Sequence, residues 1–331
     1  MRYDKITGID KPLSKLVYGT ATPILFAALS EDAPFDNIDA AYKLLDSVTA
    51  SGINTFDCAA HYGEQILGRW MEERDSRENC IVITKCAHPN QWRQRVTSFD
   101  ILADIHDSLK KLRTDYVDIY MLHRDNPEVP VGEIVDTLNK LYDKGMIKVF
   151  GGSNWTHERI EAANEYAAKH NLMPFTVSSP NFGLAEQVND PWVADAKFGP
   201  GCVTVSGPEN KAARDWYEKN NISVFAYSSL ARGLFSGAFK SSEPEKAKQI
   251  MDEPGILGYF CDRNIERLKR CEELAGKKGY TVPQIALAWV LNQKMPVFAL
   301  SSPINAEQLN ANSAACDIIL TEEEIKYLNL E

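Results

Sequence analysis

Residues 53–71 read INTFDCAAHYGEQILGRWM. An apolar, β-prone run at 53–56 stops at the carboxylate Asp57, and a helical pattern of Ile66, Leu67, Trp70 and Met71 begins a few residues after Tyr62. A near-continuous apolar strand followed at once by a helix is what a parallel sheet covered by helices requires. The segment also sets a chemical question, because it ends a buried strand on a charge and sets a phenol in the turn that follows.

The same alternation runs outward in both directions. Short β-branched or apolar runs occur at 16–18, 53–56, 81–84 and 117–122, then at 147–150, 175–177, 223–226 and 297–300. Between them, Ala41, Leu44, Leu45 and Val48 fall on one helical face, as do Leu102, Ile105, Leu109 and Leu112. Ile134, Leu138 and Leu141 repeat the pattern, and Pro283 sits near the start of a helix that includes 286–291. Eight β-then-α units with no break in composition predict an α/β fold, a closed (β/α)8 TIM barrel forming a single domain over residues 1–331. An open doubly wound sheet is the alternative, but its G-x-G-x-x-G turn after an early strand is missing. Two connections, 185–209 and 231–262, are long enough to be functional loops on the side where barrel loops build active sites.

With 331 residues, 44% hydrophobic and 25% charged, the chain can bury a large core. Its net charge of -10, spread over most of the chain, argues against nucleic acid or an anionic membrane as partner. No apolar run approaches a membrane span, and Met1, Arg2, Tyr3 and Asp4 do not begin a secretory signal. Seven cysteines without a C-x-x-C pair suit a reducing compartment, so a cytoplasmic location is expected.

In a barrel the strand C-termini converge on one mouth. The residues just past each run are Gly19-Thr20, Asp57, Lys85, His123, Ser153-Asn154, Ser179-Pro180, Tyr227-Ser228 and Ser301-Ser302. Taken singly, each ionisable group has a structural reading. Asp57 can cap the next helix, Tyr62 can pack half-buried, Lys85 can be solvated, and His123 can be a satisfied core histidine. Independent structural roles do not predict all four at one mouth. As a set they suit proton delivery to a carbonyl oxygen: Asp57 keeps Lys85 charged, Lys85 lowers the pKa of Tyr62, and His123 orients the substrate oxygen.

At this point the sequence resembles the aldo-keto reductases, barrel oxidoreductases that use NAD(P)H. The resemblance runs from LVYGT at 16–20 to LTEEEIKYL at 320–328. INTFDCAAHYGEQILGRWM is similar to the family's G-x-x-x-F-D-T-A-x-x-Y-G segment, with Cys58 where threonine is usual. IVITK, YVDIYMLH and GGSNW resemble the strands bearing the family's lysine, histidine and Ser-Asn pair, and VFAYSSLARGLFSG its seventh strand and phosphate loop. The resemblance implies Asp57, Tyr62, Lys85 and His123 as the catalytic set, with Tyr62 the general acid/base for hydride transfer between a nicotinamide dinucleotide and an aldehyde, ketone or alcohol. It implies that Ser153 and Asn154 hold the nicotinamide carboxamide and that Tyr227 stacks on the ring. Ser228, Leu230 and the Arg232-Gly233 turn would approach the pyrophosphate, and Gln308 and Asn312 would face the adenine, unless that pair is simply an exposed polar helix face. Gly19, Thr20, Asp57 and Ser302 complete the expected cofactor contacts.

Two positions depart from the family pattern. Ser179 stands where a glutamine usually binds the carboxamide. Residues 297–309 contain no basic side chain for a 2′-phosphate, while Glu307 adds negative charge, so NADP(H), the family default, is weakened and NAD(H) becomes a candidate. Trp92, within HPNQWRQR at 88–95, and Trp155 either offer indole faces to a sugar-like substrate or cover core surface. A Schiff-base enzyme acting through Lys85 is one rival. A metal enzyme ligated by Asp57, His61, His88 and His123 is another, disfavoured by the missing H-x-H and the single carboxylate, so no metal is expected. A non-catalytic dinucleotide-binding regulatory subunit is the third. The partner expected is a small molecule; an oligomeric state is not legible.

Overall fold

The computed structural model describes residues 1–30, 32–192 and 201–331. Ten strands are formed among these residues: β1 (Tyr3–Asp4), β2 (Leu13–Ser14), β3 (Leu16–Gly19), β4 (Thr55–Asp57), β5 (Ile81–Cys86), β6 (Val117–Leu122), β7 (Ile147–Ser153), β8 (Val177–Ser179), β9 (Ser223–Ala226) and β10 (Val297–Ser301). Strands β3 to β10 close a barrel in chain order, every pair parallel, with β10 returning to β3. The fold is the expected (β/α)8 barrel.

Strand alternation explains both core layers. Val17, Ile81, Ile83, Ile119, Met121, Val149, Val177, Phe225 and Phe298 point inward and fill the barrel, where the Phe225 and Phe298 rings stack at 5.1 Å. Their neighbours Tyr18, Phe56, Val82, Tyr120 and Phe150 point outward and meet the helices. Helices Phe35–Ala50, Ser98–Leu112, Val131–Asp143 and Val282–Leu291 carry the apolar faces read from the sequence. Continuing the inward phase two residues at a time brings Gly19, Asp57, Lys85, His123, Ser153, Ser179, Tyr227 and Ser302 to the uppermost layer. The strand ends share one mouth because they share one phase.

One local feature was not read from the sequence and two expectations are corrected. The β1–β2 hairpin, too short for any periodic signal, is antiparallel, and Ile6, Ile9 and Leu13 join the interior core from below the barrel. The sixth run, expected as a strand at 175–177, is regular only from Val177 in β8, although Thr176 N already donates to the Phe150 carbonyl. The 231–262 connection is not an open loop, since it contains helices Ala247–Ile250 and Glu253–Tyr259. The 185–209 connection falls in part on 193–200, outside the described residues. Among the described residues no helix is long and apolar enough to cross a membrane.

Candidate active site

The turn after β4 brings Tyr62 back over Asp57. Ala59 and Tyr62 exchange backbone hydrogen bonds of 3.1 and 2.9 Å, closing a tight reversal. Gly63 then takes φ +77° before helix Glu64–Glu73, and a β-carbon there would lie 1.8 Å from Thr20 Oγ1. Only glycine fits both the backbone angle and the space. The reversal sets the phenol beside the side chain that β5 supplies.

Lys85 Nζ donates to Asp57 Oδ1 at 2.6 Å, to the Cys58 carbonyl at 2.9 Å and to the Tyr62 hydroxyl oxygen at 2.9 Å. The Tyr62 hydroxyl donates to Asp57 Oδ2 at 3.3 Å. Asp57 and Lys85 are buried, and Tyr62 is half-buried at the floor of the mouth. Burial works against the charge of Lys85, yet Asp57 and Tyr62 outweigh it and raise its pKa. Burial likewise pushes the Asp57 carboxyl upward against the pull of Lys85.

The expected acidification of Tyr62 is corrected. Burial first, then the Asp57 charge, raise the phenol above its ordinary value despite the opposing pull of Lys85. A phenolate here would be desolvated and would face a carboxylate, so the proton stays on the phenol. His123, placed at the end of β6 by a 2.7 Å bond from its N–H to the Cys86 carbonyl, is driven well below the ordinary imidazole pKa by burial and then by Lys85. It is therefore neutral at pH 7.

These groups line a cavity of about 820 Å³ at the strand C-termini that also reaches Gly19, Ser153, Asn154, Ser179, Tyr227, Ser228, Leu230, Arg232, Gly233 and Ser302. A second cavity of about 590 Å³ opens at the opposite end, beside Phe175, Ile222 and Phe298, without such a constellation.

Not every predicted site residue faces the mouth. Ser153 Oγ donates to the Ser179 carbonyl, and Asn154, at φ +57°, donates from Nδ2 to Ser153 Oγ and to the His123 carbonyl. Asn154 Oδ1 accepts from the Tyr227 hydroxyl at 2.7 Å, leaving the tyrosine ring along the cavity. Ser179 donates to the Phe225 carbonyl. Thr20 is buried and spends its hydroxyl on the Asp57 carbonyl. Gln308 Oε1 accepts from Ile304 N, and Asn312 Nδ2 donates to Ser301 Oγ, so this pair braces the 301–308 loop.

Of the two readings left open for the tryptophans, Trp155 takes the core one and Trp92 neither. Trp155 is 0% exposed and packs on Phe175 at 5.2 Å, because the left-handed Asn154 before it, at φ +57°, breaks the strand alternation that would have aimed it at the mouth. Trp92 is 75% exposed and does not line the mouth cavity. Sequence reading missed Trp192, Asp252, Cys202 and Arg124, which do line it. Arg232 pairs with Asp252 through Nε at 3.1 Å and through its terminal nitrogen, and its guanidinium lies 4.7 Å from the Trp192 ring centre. Only the length of the two late connections hinted at these contacts.

A sequence profile described as the aldo/keto reductase family matches residues 27–329. The chain belongs to the aldo/keto reductase family. Among curated relatives, an aldo-keto reductase of Bacillus subtilis, YhdN, is 26% identical over 292 residues, covering 84% of this chain and 79% of the relative. Norsolorinic acid reductase B of Dothistroma septosporum is 26% identical over 308 residues, 88% of this chain and 71% of the relative. Two solved structures share the fold at 24% identity. The thermostable aldo-keto reductase Tm1743 in complex with the inhibitor epalrestat has a TM-score of 0.71, covering 100% of this chain and 99% of that one. The glycerol dehydrogenase AKR11B4 from Gluconobacter oxydans has a TM-score of 0.74, with 99% and 94% covered. Family membership makes the protein a member of an oxidoreductase family that acts on small-molecule carbonyl compounds with nicotinamide cofactors.

Proposed function

We propose that this member interconverts an aldehyde or ketone and its alcohol, the whole chain acting as one barrel domain, with Tyr62 carrying the proton. The observation that carries the reading is the contact of Tyr62 with Lys85 at 2.9 Å, and of Lys85 with Asp57 at 2.6 Å, on the floor of the mouth cavity. A bound nicotinamide dinucleotide supplies the hydride. The raised pKa of Tyr62 keeps a proton available for a carbonyl oxygen, and the Lys85 ammonium already donates to the oxygen that becomes negative when the proton leaves. Asp57 holds Lys85 charged, and neutral His123 orients the substrate oxygen. The same contacts count against a Schiff base, because an ammonium engaged with three acceptors has no lone pair to attack with.

The residues present fit a dinucleotide. The cavity runs from Tyr62 past the Tyr227 ring to a loop in which Ser228, Ala231, Arg232 and Gly233 all adopt positive φ. Such turns gather backbone N–H groups toward an anion. Ser153 and Asn154 line the nicotinamide end and would hold a carboxamide by exchanging one of their bonds to Ser179, His123 or Tyr227 for it. NAD(H) is the form favoured: Glu307 lies in the first turn of helix Ala306–Ala314, where the 2′-phosphate of NADP(H) would want a cation. Fluorescence titration should give a lower Kd for NADH than for NADPH; equal or tighter NADPH binding overturns this preference. A carbonyl panel with the preferred cofactor identifies the substrate, and the two tryptophans no longer favour a sugar. Tyr62→Phe should lower kcat by roughly two to four orders of magnitude with dinucleotide affinity nearly unchanged. Full turnover in that variant would end the proposal. Tight cofactor binding without turnover of any carbonyl would instead favour the regulatory reading.

A further inference from the structure

Three imidazoles arrive at one side of the mouth from three successive strand ends. His61 lies in the turn after β4, His88 two residues past β5, and His123 directly after β6. One ligand-capable nitrogen from each lies within 4.8 Å of the others. Ring centres are 4.5 Å apart for His61 and His88, 4.9 Å for His88 and His123, and 5.3 Å for His61 and His123. The proton path through Tyr62 uses only His123.

Two further observations point to a ligand. His123 Nδ1 is buried without a hydrogen-bond partner, a costly state for an imidazole nitrogen that nothing satisfies. His88 Nδ1 lies 2.9 Å from the Pro89 carbonyl oxygen. A carbonyl only accepts, so this contact places a proton on Nδ1. A backbone carbonyl on the far nitrogen is how metal-bound histidines are commonly oriented.

We propose that His61, His88 and His123 form a site for a borderline divalent transition-metal ion, zinc being the reference, at the substrate end of the mouth. Imidazole nitrogens suit zinc, nickel or copper and not magnesium or calcium, which take oxygen ligands. Tetrahedral zinc at about 2.0–2.1 Å from each nitrogen sets neighbouring ligands roughly 3.4 Å apart, so the present separations close by side-chain rotation of exposed His61 and half-buried His88. Asp57 is not a ligand, because Lys85 and Tyr62 engage its two oxygens. The fourth position is left to water or a small anion. The Tyr62 ring lies 5.0 Å from that of His61 and 6.3 Å from that of His123, so an ion held there occupies the approach of a carbonyl to the phenol. Metal binding thus inhibits turnover reversibly; this consequence rests on the carbonyl-reducing function proposed above, whereas the binding does not.

The test uses the full chain stripped with a chelator. Titration with Co²⁺ should develop the visible bands of four- or five-coordinate cobalt at one ion per chain, and Zn²⁺ should displace them. His61→Ala and His88→Ala should each weaken Zn²⁺ affinity by at least about tenfold, and the double variant should lose the bands while retaining NADH affinity, which reports an intact barrel. Failure of the wild-type chain to develop the bands, or their persistence in the double variant, overturns the site. In the turnover assay Zn²⁺ should inhibit the wild-type chain, a chelator should restore it, and the double variant should resist. Zinc that binds without affecting turnover overturns the inhibitory role alone. Should the chain reduce no carbonyl at all, the cobalt spectrum still decides the site independently of the proposed reaction.

Discussion

At the scale of single residues, Tyr62 is governed by two neighbours acting in opposite directions. Lys85 donates to its oxygen and favours the phenolate; burial and Asp57 favour the phenol and prevail. A pKa raised above the ordinary 10 means the proton is lost only at high pH, so the form needed for carbonyl reduction persists through neutrality. Reductive kcat/KM should therefore stay level from about pH 6 to about pH 9 and fall only above that range. Alcohol oxidation needs the deprotonated form and should climb as pH rises over the same interval. A reductive profile that already declines through pH 7 would contradict the assignment of Tyr62 as proton donor.

At the scale of elements, the β4 turn does the positioning. The Ala59–Tyr62 reversal and the positive φ of Gly63 are needed together, since a straighter exit from β4 would carry Tyr62 away from Lys85. Gly63→Ala meets both a disfavoured backbone angle and a clash with Thr20, and should cost at least about 2 kcal/mol of stability. Because the clash displaces the phenol as well, turnover should fall more than dinucleotide affinity. Denaturant unfolding alongside cofactor titration separates the two effects. At the start of helix Ser98–Leu112, Thr97 Oγ1 accepts from Asp100 N, while Arg93 grips the buried Asp100 carboxylate through bonds of 2.8 and 2.7 Å. Asp100→Ala leaves a half-exposed Arg93 that water can solvate, so the loss should stay near the lower end for such pairs, about 2 kcal/mol in urea unfolding.

At the scale of the whole molecule, the barrel separates stability at its base from chemistry at its mouth. The β1–β2 hairpin sends Leu13 into the interior core beneath the strands. Leu13→Ala should cost about 2–5 kcal/mol by opening a cavity in that core, with kcat and KM unchanged at temperatures where the variant remains folded. An altered KM would mean that the base and the mouth are mechanically coupled.

The eight barrel strands and the residues that end them were legible before any coordinates, because parallel strands buried on both faces leave unbroken apolar runs and because a residue two steps past an inward side chain faces the mouth while the backbone stays extended. Asp57, Lys85 and His123 could be read from that phase alone. Tertiary structure decided what phase and spacing do not encode. Trp155 turned into the core, Asn312 turned to Ser301, Arg232 met Asp252 across twenty residues, and three histidines from separate turns came into contact. Each outcome depends on how far a loop reaches and which way a side chain leaves it. The sign of the Tyr62 shift belongs with them: the sequence names the charges, but only their distances and burial determine which one prevails.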